Sequence, residues 1–157
     1  MRSKISNTIK FLSADMIQKA NSGHPGTPMG LSDVMSVLMS KIRHNPKNPK
    51  WLNRDRIVFS GGHASALVYS YLYLSGYDLD LDDLKNFRQL HSKTPGHPEI
   101  TTDGVEIATG PLGQGVANAV GFAMAAKYAA NLLNEENNEI IDHKIYSEIV
   151  EFCKIVR

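Results

Sequence analysis

The sequence is poor in the features that would place it outside ordinary globular proteins. It holds a single cysteine, Cys153, among 157 residues. One thiol excludes an internal disulfide framework and a cysteine-rich zinc site, and it agrees with a reducing, cytoplasmic setting. Charge of one sign is also lacking. Seventeen Lys and Arg against 16 Asp and Glu leave a formal net charge of +1, so no electrostatic case exists for nucleic acid or an anionic membrane as partner. No apolar run is long enough to span a bilayer. The longest candidate, 116–133, is interrupted by Asn118, Lys127 and Asn131. Arg2 and Lys4 are not followed by an apolar signal core, which argues against secretion. What is present is ordinary globular composition, 42% hydrophobic and 21% charged, enough for one domain with a real core.

Periodicity orders the chain. Ile5, Ile9, Leu12 and Met16 recur at helical spacing, and Asn21-Ser22-Gly23 ends that helix. A second helix is predicted over about 31–42 and a third over about 64–74. Ile57-Val58-Phe59, ahead of Gly61-Gly62, reads as a buried strand entering a tight turn. Asp80 is the predicted N-cap of a short helix, residues 92–104 form a loop, and 105–109 form a further short strand. Gly110-Pro111-Leu112-Gly113-Gln114-Gly115 is a glycine-rich turn. The alanine-rich helix after it, 116–134, is apolar nearly all round and should be buried on most sides. The order of elements makes the fold class α/β, helix-rich with few parallel strands.

Three of the six histidines sit in glycine- and proline-bounded turns: Gly23-His24-Pro25-Gly26, Gly61-Gly62-His63, and Pro95-Gly96-His97-Pro98. A neutral imidazole offers one donor and one acceptor, which suits hydroxyl, carbonyl or phosphate contacts. Taken singly, each is as readily a turn residue bonded to its own backbone; three together point to loops converging on one ligand. A zinc site is the rival, but the spacings of 39 and 34 residues hold no local ligand pair. His44, His91 and His143 lack this setting and read as surface or packing residues. The glycine-rich turn matches neither the Walker loop nor the dinucleotide fingerprint. It offers backbone N–H groups at a helix N-terminus.

These residues resemble the transketolase family. The motifs are Ser22-Gly23-His24-Pro25-Gly26-Thr27-Pro28-Met29-Gly30, Ser60-Gly61-Gly62-His63-Ala64, Thr94-Pro95-Gly96-His97-Pro98-Glu99 and Thr109-Gly110-Pro111-Leu112-Gly113-Gln114-Gly115. They are similar to the family's three histidine motifs and its cofactor loop, in order. The resemblance covers 5–146. It implies an incomplete thiamine-diphosphate-binding fold, with thiamine diphosphate and magnesium or calcium as cofactors. The implied reaction transfers a two-carbon ketol unit from a ketose phosphate to an aldose phosphate, in a homodimer. It further implies that His24 and His97 contact substrate, that His63 lies by the diphosphate, that the Gly110 backbone accepts from the aminopyrimidine, and that Pro111 and Leu112 pack on the cofactor.

The family's Gly-Asp-Gly metal motif is not in this sequence, whose last glycine is Gly121. No metal ligand is therefore assigned, and Asp142, which precedes the corresponding strand, is not promoted to one. Residues 1–146 are read as the first portion of the cofactor-binding domain. Residues 147–157 are read as a divergent tail that the spacing of Ile145, Ile149, Phe152 and Val156 makes helical. The expectation is a transketolase fragment, catalytically incomplete alone. The alternative is a non-catalytic remnant acting through the apolar helix.

Overall fold

The computed structural model describes residues 2–148. Five helices surround a two-stranded parallel sheet: α1 (Arg2–Ala20), α2 (Gly26–Leu38), β1 (Arg56–Phe59), a 3-10 turn (Gly62–Ala64), α3 (Ser65–Ser75), α4 (Leu81–Lys85), α5 (Gln114–Leu133) and β2 (Ile145–Glu148). In the sheet Arg56 stands opposite Ile145 and Phe59 opposite Glu148. Helix α1 packs on α2, α3 and α4, while α5 lies on both strands.

The helical period at Ile9 and Met16 does what it predicts, burying both against Met35, Leu67 and Phe87. Helix α3 is the centre of the molecule. Every residue from Ser65 to Leu72 is buried, so it carries no polar face. Small hydroxyls allow the close approach: Ser13 on α1 donates to the Ala66 carbonyl (3.2 Å) and lies 3.1 Å from Ser70 Oγ. A left-handed Gly76 at φ 85° closes α3, as a helix C-terminus favours. Asp80 caps α4 as expected. Asp83 N donates to Asp80 Oδ1 (2.8 Å) and Asp80 N to Asp83 Oδ2 (3.0 Å), a reciprocal capping box.

Four expectations are corrected. Helix α2 begins at Gly26 and ends at Leu38, rather than running from about 31 to 42. Pro25 presets the backbone at the cap, and Pro28 falls in the first turn, where a missing N–H costs nothing. The segment 105–109 is extended but has no ladder partner among the described residues. Side chains hold it instead. Arg54 Nε and Nη2 donate to the two oxygens of Glu106 (3.1 and 2.8 Å), with Arg56 3.6 Å away. Burial pushes Glu106 up against the pull of both arginines. Helix α5 is not buried on most sides: Val120, Met124, Tyr128 and Leu132 are exposed, and Gly115 and Ala119 alone are fully buried. The reason is its outer position, with only the two strands beneath it. Finally, Ile145–Glu148 is a strand rather than the start of a helix. The free backbone edge of β1 overrides a four-residue spacing. Residues 149–157, with the rest of the expected helical tail, lie outside the described residues.

Two polar side chains fix β2 in register. Buried Asp55 accepts from Arg43 N (2.9 Å) and Lys144 N (2.7 Å). Asn53 Oδ1 accepts from Asp142 N (2.9 Å) and His143 N (3.1 Å). Asp142 in turn is held bidentate by Arg43 (2.9 and 2.6 Å). It is a structural anion, as its place before the strand suggests. The Arg43 hydrogen bonds, with that from Asn53, bring its carboxyl down to about 2.

Two outcomes follow. Asp55→Ala strands two backbone donors, and urea denaturation should show a loss of roughly 2–4 kcal/mol; a loss under about 0.5 kcal/mol contradicts this anchoring. Because the Asp142 carboxyl is depressed on folding, its contribution is complete above the ordinary carboxyl value and is lost as pH falls towards about 2. NMR titration should find that midpoint rise in Arg43→Gln; an unmoved midpoint contradicts the assignment.

Candidate active site

The first two histidine turns are shaped by glycines whose place a side chain could not take without a clash. Helix α1 ends in Asn21 at φ 47° and Gly23 at φ 149°. A Cβ on Gly23 would lie 2.7 Å from Ile17 Cγ1 and 3.3 Å from Phe87 Cε1. The turn is thus pressed onto the core and leaves His24 exposed just before α2.

The second turn leaves the C-terminal end of β1. Ser60, Gly61 and Gly62 are buried, and a Cβ on Gly62 would overlap the carbonyl oxygen of Thr109. On the same side, a Cβ on Gly115 would lie 2.5 Å from Ser60 Cα and 2.9 Å from the Phe59 oxygen. The turn after β1 and the turn before α5 therefore meet backbone to backbone. Thr109 Oγ1 completes the join by donating to the Phe59 carbonyl at 3.2 Å. His63 emerges half-buried from the 3-10 turn. Its ring meets that of His24 edge-on, with centroids 5.2 Å apart and planes at 64°.

The third turn is hung from two core groups. Tyr69, fully buried, donates from its hydroxyl to the Pro95 carbonyl (2.8 Å), and buried Thr94 donates to the Asp83 carbonyl (2.8 Å). Burial pushes the Tyr69 phenol well up, so it stays a donor. Arg88 connects this loop to the first. Its N–H bonds to the Thr94 carbonyl (2.9 Å), its Nη1 donates to Ser22 Oγ (2.8 Å), and its Nη2 lies 3.4 Å from His24 Nδ1. Gly96 packs on the guanidinium, leaving His97 exposed beside it.

Of the residues singled out in the sequence, His24 and His63 are in ring contact; the loop that carries His97 is tied to the His24 turn through Arg88, and His97 itself is exposed. Gly110, Pro111 and Leu112 form an exposed rim tied to the His63 turn by the Gly62 and Gly115 contacts. His44 stacks on Tyr77 at 5.6 Å and His143 is tied to Asn53, both packing roles. Among the described residues no group of three or more His, Cys, Asp or Glu is arranged to hold a metal ion. Arg88 was missed, because it sits in no histidine or glycine motif; Tyr69, part of the stretch 67–70 that extends the second histidine motif, was given no role of its own.

Turns gathered at the C-terminal end of a parallel strand, with a helix N-terminus facing them, define an α/β domain with a cofactor-type site. Comparison with known proteins names the family. The family model described as "Transketolase, thiamine diphosphate binding domain" matches residues 1–154, and the chain belongs to that family. It is 56% identical over 154 residues to transketolase 2 of Aliivibrio fischeri, covering 97% of this chain and 23% of the relative. The crystal structure of transketolase from Campylobacter jejuni superposes with TM-score 0.89 at 75% identity, over 93% of this chain and 23% of that one. A Pichia stipitis transketolase solved in complex with sedoheptulose-7-phosphate superposes with TM-score 0.95 at 50% identity, over 98% and 23%. The chain thus spans about a quarter of the length of these relatives.

The glycine contacts are testable. Gly115→Ala forces backbone apart rather than a flexible side chain, so thermal unfolding should show roughly 1–3 kcal/mol of destabilisation. Gly121→Ala, where a Cβ meets open space, should cost nothing. Equal effects at the two positions contradict the backbone contact.

Proposed function

We propose that this chain forms the histidine-lined cofactor face of a transketolase. In this reading the protein takes part in thiamine diphosphate-dependent transfer of a two-carbon ketol unit from a ketose phosphate to an aldose phosphate. The observation that carries it is the His24–His63 ring contact beside the Gly110 turn. It brings three separate stretches of chain to one place that no packing requirement explains.

The residues fit the cofactor's chemistry. Backbone N–H groups open α3 and α5 next to His63, and the buried hydroxyls of Ser60 and Ser65, which flank it, have no hydrogen-bond partner in the structure. These are groups for a diphosphate. Leu112 is 58% exposed, open to apolar contact. Thiamine diphosphate, when bound, supplies the carbon nucleophile and the electron sink. This chain's part is to bind and orient. His63 would hold the diphosphate, the Gly110 carbonyl would accept from the aminopyrimidine, and Pro111 and Leu112 would give the cofactor apolar contact. His24 and His97 hold substrate hydroxyl and carbonyl oxygens, and their ring nitrogens give and take the protons those oxygens exchange. A divalent metal, magnesium or calcium, belongs to the diphosphate and needs oxygen ligands from outside these motifs. Sugar phosphates as substrates are supported by the relative solved with sedoheptulose-7-phosphate. A cytoplasmic homodimer is the assembly we assign. Among the described residues, no helix is long and apolar enough to cross a membrane.

The 157 residues span 23% of the relatives, so turnover is assigned to this segment within a longer assembly and not to the segment alone. A competing reading, a non-catalytic fragment acting through α5, draws on the exposed Val120, Met124, Tyr128 and Leu132.

Grafting separates the two. Residues 1–154 should replace the matching segment of Escherichia coli transketolase 1, 55% identical to it, with ketol transfer retained. His24→Ala or His97→Ala in the graft should then lower kcat about 10²- to 10⁴-fold. A folded graft without activity, or full turnover in both histidine variants, contradicts the proposal.

A further inference from the structure

The bridge between the first and third loops does more than hold them together. Arg88 adopts φ 61°, a left-handed backbone that an arginine rarely takes. Its side chain is directed at three targets. Nη1 donates to Ser22 Oγ at 2.8 Å, Nη2 lies 3.4 Å from His24 Nδ1, and the Nε side lies against Gly96, where a Cβ would stand 3.4 Å away. A guanidinium has five N–H donors and no lone pair to offer. The contact with His24 therefore has one polarity: Arg88 donates and Nδ1 accepts. The ring nitrogen that accepts cannot carry the proton, so the neutral imidazole must carry it on Nε2, across the ring.

We propose that Arg88 is a positioning residue that fixes the tautomer of His24. It holds Nδ1 as an acceptor and presents Nε2–H as the ring's donor, while its bond to Ser22 sets the ring's orientation beside His63. The inference rests on the role proposed above for His24, and it specifies which proton that residue brings to a substrate oxygen. It also accounts for the unfavourable backbone of residue 88, which places the guanidinium between two loops.

The test reads the tautomer itself. The 157-residue chain is labelled with ¹⁵N in its histidine rings, and His24 is assigned by its loss in His24→Gln. At about pH 8, where ordinary imidazoles are neutral, wild type should show Nδ1 of His24 unprotonated and Nε2 protonated. In Arg88→Gly that single pattern should be lost, the Nδ1 resonance moving towards the protonated side while His91 and His143 stay in place. Glycine favours φ 61° and keeps the backbone bond to Thr94, so the melting temperature should not fall. Arg88→Asn, also tolerant of that backbone, gives the same reading should the glycine variant not fold. In the graft, Arg88→Gly should lower kcat about ten- to a hundredfold with KM little changed. A protonated Nδ1 in wild type, or a His24 spectrum indifferent to Arg88, overturns the inference. An Arg88-dependent tautomer supports it even where the graft's histidine variants keep full turnover, a result that would sink only the functional reading.

Discussion

The site depends on a contact between two stretches of bare backbone. The chain leaving β1 and the chain entering α5 approach so closely that a methyl group on Gly62 or Gly115 would occupy space held by Thr109 or Ser60. Parallel strands require long crossovers, and their C-terminal ends are where the returning loops gather. Here that general tendency is made rigid by two glycines 53 residues apart in sequence. His63 stands just after one of them and the Gly110–Leu112 rim just before the other. Neither could be moved relative to the other without opening the backbone contact. Dispersion and steric exclusion, rather than any charged pair, hold these two turns in register.

Around that contact the polar groups have a division of labour. The carboxylates remote from the site are satisfied within the fold. Asn53 and Asp55 take the backbone donors that lead into β2, Arg43 neutralises Asp142, and Glu106 is shared by Arg54 and Arg56. Buried polar groups satisfied in this way specify one arrangement of the chain. The groups at the site are different. His24 and His97 are exposed, and the Ser60 and Ser65 hydroxyls beside His63 are buried without a partner.

Much of this was legible in the sequence, for identifiable reasons. The α1 period at Ile9 and Met16, the Asp80 cap and the Ile57–Phe59 run are local signals, and local physics decides them. The three histidine turns and the Gly110 turn were legible because glycine and proline announce their geometry. The bounds of α2 were set by the nearby Pro25 and Pro28; the other misses have a common cause, since each is settled by a partner distant in sequence. Four residues of β2 follow the open edge of β1 and not their own spacing. The 105–109 segment has strand composition but no ladder among the described residues, and distant side-chain contacts of Glu106 and Thr109 hold it instead. Helices α3 and α5 are both apolar, yet only their position in the layers decides which is buried. Arg88 was invisible for the same reason: nothing adjacent to it indicates that its side chain spans Ser22, His24 and Gly96.

The central claim is that four sequence-distant turns form one cofactor-binding surface. Amide and histidine-ring shifts of the labelled chain, followed during addition of thiamine diphosphate and magnesium, test it most directly, because shift mapping does not require tight binding. The account predicts changes confined to residues 22–26, 61–65, 94–98 and 109–115, with α4 (81–85) unmoved. Changes centred on the exposed face of α5, or no change at any of the four turns with ligand in large excess, would contradict it.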